Sequence, residues 1–226
     1  MTTKILDCTL RDGGYYNGWN FSNSFVKNYL SLINKLDVEY VEIGFRKKDP
    51  HNKFGKFFSI SDNQIKILRK NKKFKIALMI DLADFKKDLS INELFKKKSK
   101  SKIDLVRIAL NYEDIGLLPK ILNQLHSMGY DVAINLMKAT LFSPGQIIRL
   151  FDKINLKKIK YFYIADSYGN CRMNFLKAFC KSIKKSKYKF SNIGFHAHDN
   201  LKLAKKNALF LKNQNIGMID TSVFGM

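Results

Sequence analysis

Eight short apolar, β-branched runs recur along this chain at spacings of roughly 25 to 35 residues, and helical periods fill the intervals. The runs are Ile5–Leu10, Tyr40–Phe45, Ile76–Ile80, Leu105–Leu110, Val132–Met137, Tyr161–Ala165, Ile193–Phe195 and Met218–Phe224. Most are almost continuously apolar, which is the pattern of strands buried on both faces of a parallel sheet. Phe25, Tyr29, Leu32, Ile33 and Leu36 form one helical stripe, and Ser61-Asp62 can cap a helix through Ile65 and Leu68. Glu113–Met128 reads as a helix stopped at Gly129, and Ser143-Pro144 carries the Ser N-cap, Pro N1 start signal. Phe175–Ile183 and Leu201–Leu211 complete the series. Strict alternation of this kind predicts an α/β fold, a TIM (β/α)8 barrel, rather than an open doubly wound sheet.

Residues 1–226 are expected to form a single barrel domain, with no linker or second domain visible. Barrels of this class typically need about 250 residues, and this chain stops at Met226, just after the eighth run. The expectation is therefore a barrel C-terminally truncated after strand 8, with the last helix missing. The apolar surface so uncovered favours association, a homodimer in the simplest case. No run approaches the roughly 20 apolar residues of a membrane span, and the N-terminus leads straight into strand-like sequence. A soluble cytoplasmic protein is the expectation.

Composition narrows the partners. Hydrophobic residues at 46% argue against intrinsic disorder. The net charge of +22 invites phosphate binding, yet only six of the 41 basic residues are arginine, the type that forks onto phosphate and base edges. The lysines sit where helix and loop surfaces fall, so a solvated basic surface is expected and specific nucleic-acid binding is not. Three dispersed cysteines, Cys8, Cys171 and Cys180, suggest neither a disulfide framework nor a thiolate metal site.

A barrel builds its site at the C-terminal ends of its strands, and polar residues concentrate there. His196 and His198 are two apart on strand 7, so both imidazoles can face one point. Two imidazoles with a carboxylate are a common divalent-metal set, and Asp12, followed by Gly13-Gly14, is available from the end of strand 1. Arg11 beside a metal suggests a carbonyl or enolate oxygen held between two positive groups. Glu42 and Arg107 lie in otherwise apolar strands and read equally as an interior salt bridge or as substrate contacts. Asn135 and Asp166 divide the same way.

These residues also carry a family resemblance. Leu6-Asp7-Cys8-Thr9-Leu10-Arg11-Asp12-Gly13 resembles the signature of the DRE-type TIM-barrel metallolyases. His196-Ala197-His198-Asp199-Asn200 resembles their strand 7 metal motif, and Asp166-Ser167-Tyr168-Gly169 their strand 6 motif. The stretches Asp12–Tyr16, Glu42–Arg46 and Asn135–Met137 look most like the 4-hydroxy-2-oxovalerate aldolase branch. The resemblance implies Asp12, His196 and His198 as ligands of a divalent ion, Mn²⁺ or Mg²⁺. It implies that Arg11 polarises a 2-oxo group, with Ser167 near the substrate carboxylate. The reaction implied is reversible cleavage of a 4-hydroxy-2-oxo acid into pyruvate and an aldehyde. Where the aldolases carry a histidine base, this chain has Tyr15 and Tyr16, so Tyr15 is a base candidate, with substrate hydrogen bonding or simple packing as its other readings. Its reference pKa near 10 then needs lowering by the metal or by Arg11.

Two alternatives use the same scaffold. One is a Claisen-type acyl-CoA condensing enzyme, though such enzymes usually place acidic or glutamine side chains after the Arg-Asp-Gly. The other is a catalytically impaired barrel that works through its basic binding surface.

Overall fold

The computed structural model describes residues 2–48, 53–86, 90–154 and 158–223. Eight parallel strands close into a barrel in chain order: β1 (Lys4–Asp7), β2 (Tyr40–Phe45), β3 (Lys75–Asp81), β4 (Leu105–Leu110), β5 (Asp131–Leu136), β6 (Tyr161–Asp166), β7 (Ile193–Ala197) and β8 (Met218–Thr221). β8 pairs with β1 through Lys4↔Met218 to Asp7↔Thr221, which closes the sheet. The fold is the expected TIM barrel. Phe224, expected at the end of the eighth run, lies outside the described residues.

The helices are α1 (Thr9–Asp12), α2 (Gly14–Asn17), α3 (Asn23–Ile33), α4 (Asp62–Arg69), α5 (Ile91–Leu94), α6 (Leu118–Ser127), α7 (Pro144–Lys153), α8 (Met173–Lys184) and α9 (Ala204–Lys212). Local chemistry sets their starts. Ser61 with Gln64, Ser90 with Glu93 and Ser143 with Gln146 form reciprocal capping boxes at α4, α5 and α7. Among the described residues, no helix is long and apolar enough to cross a membrane.

Several boundaries differ from the sequence reading, three of them for visible local reasons. Leu10 falls on α1, not on β1. Asp7 Oδ1 accepts the Thr9 backbone N–H at 2.9 Å, and the Cys8 N–H goes to Thr221 O at 2.8 Å, so the chain leaves the sheet after Asp7 and coils. The single helix expected over Glu113–Met128 is a 3₁₀ stretch, Tyr112–Leu117, followed by α6. Pro119 sits in the first turn of α6, where its missing N–H costs nothing. The last helix starts at Ala204 rather than Leu201, with its N–H received by Asp199 Oδ1 at 2.9 Å.

Two apolar layers hold the fold. The larger lies between strands and helices, as with Ile43, Ile80, Leu125 and Phe179. The smaller fills the lower barrel: Leu6, Tyr40, Ala77, Leu105, Ala133, Tyr161, Met218 and their neighbours. Side chains two apart on a strand share a face. The same inward rows therefore continue upward from Tyr40 to Glu42, Leu105 to Arg107, Ala133 to Asn135, and Met218 to Asp220. A polar tier stands on an apolar one, and that tier floors the site. Gly44 makes the mouth possible on β2: at φ +146° it brings Phe45 N to Phe57 O at 3.1 Å, and a Cβ there would lie 2.2 Å from that oxygen.

Candidate metal centre

The turn into α1 carries Arg11 and Asp12 over the barrel mouth, where both are buried. Trp19 secures this turn by donating its indole N–H to Arg11 O at 2.8 Å. Gly14 permits the approach, since a Cβ there would meet the Trp19 ring at 2.1 Å. Phe45, Phe54 and Phe58 pack around the same indole.

Asp12 Oδ2 lies 3.5 Å from His196 Nε2 and 3.8 Å from His198 Nε2, and the two nitrogens are 3.4 Å apart. A triangle with these sides has a point about 2.1 Å from all three atoms, the bond length of a divalent ion to nitrogen or oxygen. Hydrogen-bond chemistry then decides where the ring protons sit. His198 Nδ1 is 3.0 Å from Ser167 O, which can only accept, and His196 Nδ1 is 2.8 Å from Asp220 Oδ2. Each Nδ1 therefore carries the hydrogen, and in the neutral rings both Nε2 lone pairs face Asp12 unprotonated. Burial first, and His196 second, hold the His198 pKa below its ordinary value. Burial pushes the Asp12 carboxyl up, but Arg11, His196 and His198 together bring it below the usual carboxylate value.

Under the triangle runs a closed chain of buried charges. Arg11 Nη1 pairs with Asp12, and Arg11 Nε donates to Glu42 Oε2 at 2.7 Å. Arg107 Nη1 lies 3.0 Å from the same Glu42 oxygen, and Arg107 Nη2 donates to Asp220 Oδ2 at 2.5 Å. Asp220 returns to His196, and His196 to Asp12. Three carboxylates face two guanidiniums in this ring, leaving one negative charge in excess when the imidazoles are neutral. Converging lone pairs and excess negative charge are what a divalent cation would satisfy, so the donor set fits the expected metal.

Cys8, set aside as a ligand on sequence grounds, comes close: its Sγ and the Asp12 and His196 donors all lie within 4.8 Å of one another. Its thiol is donated to Thr221 O at 3.2 Å, and burial, then Asp12, pushes its pKa well up. His198, whose Nε2 lone pair is turned toward Asp12, fits such a donor set better than this protonated thiol.

The remaining candidates spread around the mouth. Tyr15 is exposed at the rim, edge-on to Trp19 with ring centroids 4.8 Å apart. Desolvation raises its pKa above the ordinary phenol value, outweighing the opposing pull of Arg11. Asn135 is buried, and its Oδ1 has no partner among the described residues. Ser167 Oγ accepts the Lys138 N–H at 2.8 Å. Glu42 and Arg107 are fully buried and paired with each other. Asp166 binds the Asn170 and Cys171 backbone N–H groups and shapes the β6 loop. Asp220 was not singled out from sequence, although the signal was there: it is an acid two residues beyond Met218 in an apolar run, as Glu42 is beyond Tyr40.

The sequence matches the HMGL-like family over residues 2–226. The chain belongs to that family. Its relatives place it among the DRE-TIM metallolyases, the group its motifs resemble. It is 20% identical to the oxaloacetate decarboxylase of Mycobacterium tuberculosis over 98% of this chain and 64% of that one. It is 24% identical to the 4-hydroxy-2-oxovalerate aldolase of Geobacillus genomosp. 3 over 99% of this chain and 65% of that one. This HMGL-like chain therefore spans just under two thirds of the length of both curated relatives. Among solved structures, the N-terminal domain of a candidate aldolase from Bacteroides vulgatus superposes with a TM-score of 0.81 at 30% identity, covering 99% of this chain and 73% of that one. The Bacillus subtilis HMG-CoA lyase shares the fold, with a TM-score of 0.71 at 15% identity over 98% of this chain and 76% of that one.

Proposed function

We propose that this barrel is a divalent-metal-dependent carbon–carbon lyase that cleaves the C3–C4 bond of a 2-oxo acid. The preferred reaction is reversible aldol cleavage of a 4-hydroxy-2-oxo acid to pyruvate and an aldehyde. The observation that carries this reading is the Asp12–His196–His198 triangle lying directly beside the buried Arg11 guanidinium. A divalent ion held there, Mn²⁺ or Mg²⁺, supplies Lewis-acid polarisation of the 2-oxo group.

The chain's own residues do the rest. Arg11 stays charged, because Asp12 and Glu42 outweigh the cost of its burial. Among the described residues, hydrogen bonds to Glu42 and Asp12 engage two of its five N–H groups, and the others are donors for the 2-oxo oxygen as negative charge builds there. Glu42 and Arg107, sealed from solvent, hold Arg11 in place instead of touching substrate. Asn135 offers its Oδ1, unpartnered among the described residues, as an acceptor for the 4-hydroxyl, and Ser167 a hydroxyl at the β6 loop as a donor to the carboxylate. Tyr15 is the group at the rim available to take the proton from the 4-hydroxyl.

A second reading, oxaloacetate decarboxylation, breaks the same bond and is favoured by one observation. Loss of CO₂ from C4 requires no base, and the raised Tyr15 pKa keeps its phenol protonated, so little of the tyrosinate is present to accept a proton. Pyruvate release from 4-hydroxy-2-oxovalerate and from oxaloacetate, measured with and without Mn²⁺, tests both. Metal-dependent release that disappears in His196→Ala supports the lyase, and release unaffected by chelator contradicts it.

A further inference from the structure

We propose that Asp220 is the positioning residue of the metal centre: it fixes the His196 ring so that a bare Nε2 faces the cation. The inference rests on the reading of Asp12, His196 and His198 as ligands, and it concerns a residue that touches neither metal nor substrate.

Two donors converge on one oxygen. Asp220 Oδ2 receives Arg107 Nη2 at 2.5 Å and lies 2.8 Å from His196 Nδ1, while Oδ1 has no partner among the described residues. The carboxylate is fully buried on the inward row of β8. It cannot swing away without stripping both donors at once, because water has no access to replace it. Arg107 cannot follow it, being tied to Glu42 at 3.0 Å and lying over the Tyr163 ring with Cζ 4.2 Å from the centroid. His196 thus rests on a carboxylate that is itself braced from the far side of the barrel.

His198 is held differently. Its Nδ1 meets the backbone carbonyl of Ser167, an uncharged acceptor on a loop. The two imidazoles are therefore unequal, and the carboxylate-backed His196 is the one whose orientation and donor strength the protein fixes. Such outer partners typically set metal affinity by 10- to 100-fold.

The test uses the purified chain with ¹⁵N-labelled histidine. In the apo wild type, the His196 signals are expected to show hydrogen on Nδ1 and none on Nε2. In Asp220→Ala, that preference is expected to fade and Mn²⁺ affinity to fall by about 10- to 100-fold. Asp220→Asn retains an oxygen acceptor without the charge, so it is expected to keep the tautomer while losing several-fold in affinity. A wild-type His196 carrying its hydrogen on Nε2 would overturn the proposal. So would a folded Asp220→Ala chain with unchanged tautomer and affinity. If Asp220→Ala does not fold, the wild-type spectrum and the Asp220→Asn affinity decide, and unchanged affinity in Asp220→Asn contradicts the inference. A wild type that binds no Mn²⁺ would defeat the ligand reading instead, while the apo tautomer still reports on Asp220.

Discussion

Arg107 on β4 reaches across the barrel to Asp220 on β8, the strand diametrically opposite, with Nη2 and Oδ2 2.5 Å apart and both side chains sealed from water. This ion pair spans the polar tier and joins the two arcs of the charge ring. Its energetic meaning lies in what its removal leaves behind. Glu42 and Asp220 would remain buried with one guanidinium fewer between them, and an uncompensated buried charge costs far more than a surface pair is worth.

Arg107→Met is therefore expected to lower stability by about 3–5 kcal/mol in urea unfolding. Replacement of an exposed pair, Lys187→Met beside Asp152, is expected to leave the urea midpoint nearly unchanged, because water screens that pair. Equal effects of the two substitutions would contradict the ring's role.

Much of this was legible beforehand. The runs Tyr40–Phe45 and Leu105–Leu110 coincide with β2 and β4, because a strand buried on both faces is a mostly apolar run, here broken only by Glu42 and Arg107, and bounded by polar residues. The meeting of His196 and His198 was readable because period 2 on a strand puts both on one face. The helix at Thr9–Asp12 was not legible. Cys8-Thr9-Leu10 has strand composition, and the coil depends on Asp7 capturing the Thr9 N–H, a contact that composition does not signal. The ring was hidden for another reason. Glu42, Arg107 and Asp220 are far apart in sequence, and only barrel closure decides which of them meet.

Stability of the apo chain should depend on pH through His198. Its folded pKa lies below the ordinary 6.5, so the unfolded chain takes up this proton at higher pH than the folded one. The His198 contribution is expected to be flat above the ordinary imidazole range. Stability should decline as pH falls below 6.5, until the folded form is protonated as well. Urea midpoints between pH 8 and pH 5 measure this, and His198→Gln should flatten the profile. A decline of the same size in that variant would assign it to other groups.

Tyr15→Phe separates the two bond-breaking readings. Aldol cleavage needs a proton acceptor for the 4-hydroxyl, so its kcat is expected to fall by about 100-fold. Decarboxylation needs none and should stay within about threefold of wild type. Loss of both reactions in parallel would mean that Tyr15 orders the mouth rather than handling a proton.

Gly14→Ala tests the support of Arg11. The added Cβ collides with the Trp19 indole, whose N–H holds the Arg11 carbonyl. A loss of about 1–3 kcal/mol is expected, with a red shift of the fluorescence of the chain's one tryptophan. Unchanged emission and activity together would show that this packing does not govern the site.

The central claim is that Asp12, His196 and His198 form one cation site. Titration of Mn²⁺ into the chelator-treated chain, followed by electron paramagnetic resonance, addresses it most directly. One ion per chain is expected for the wild type, with no saturable binding in Asp12→Ala or in His196→Ala/His198→Ala chains that retain the wild-type fold. Stoichiometric Mn²⁺ binding that survives in those variants would contradict the account.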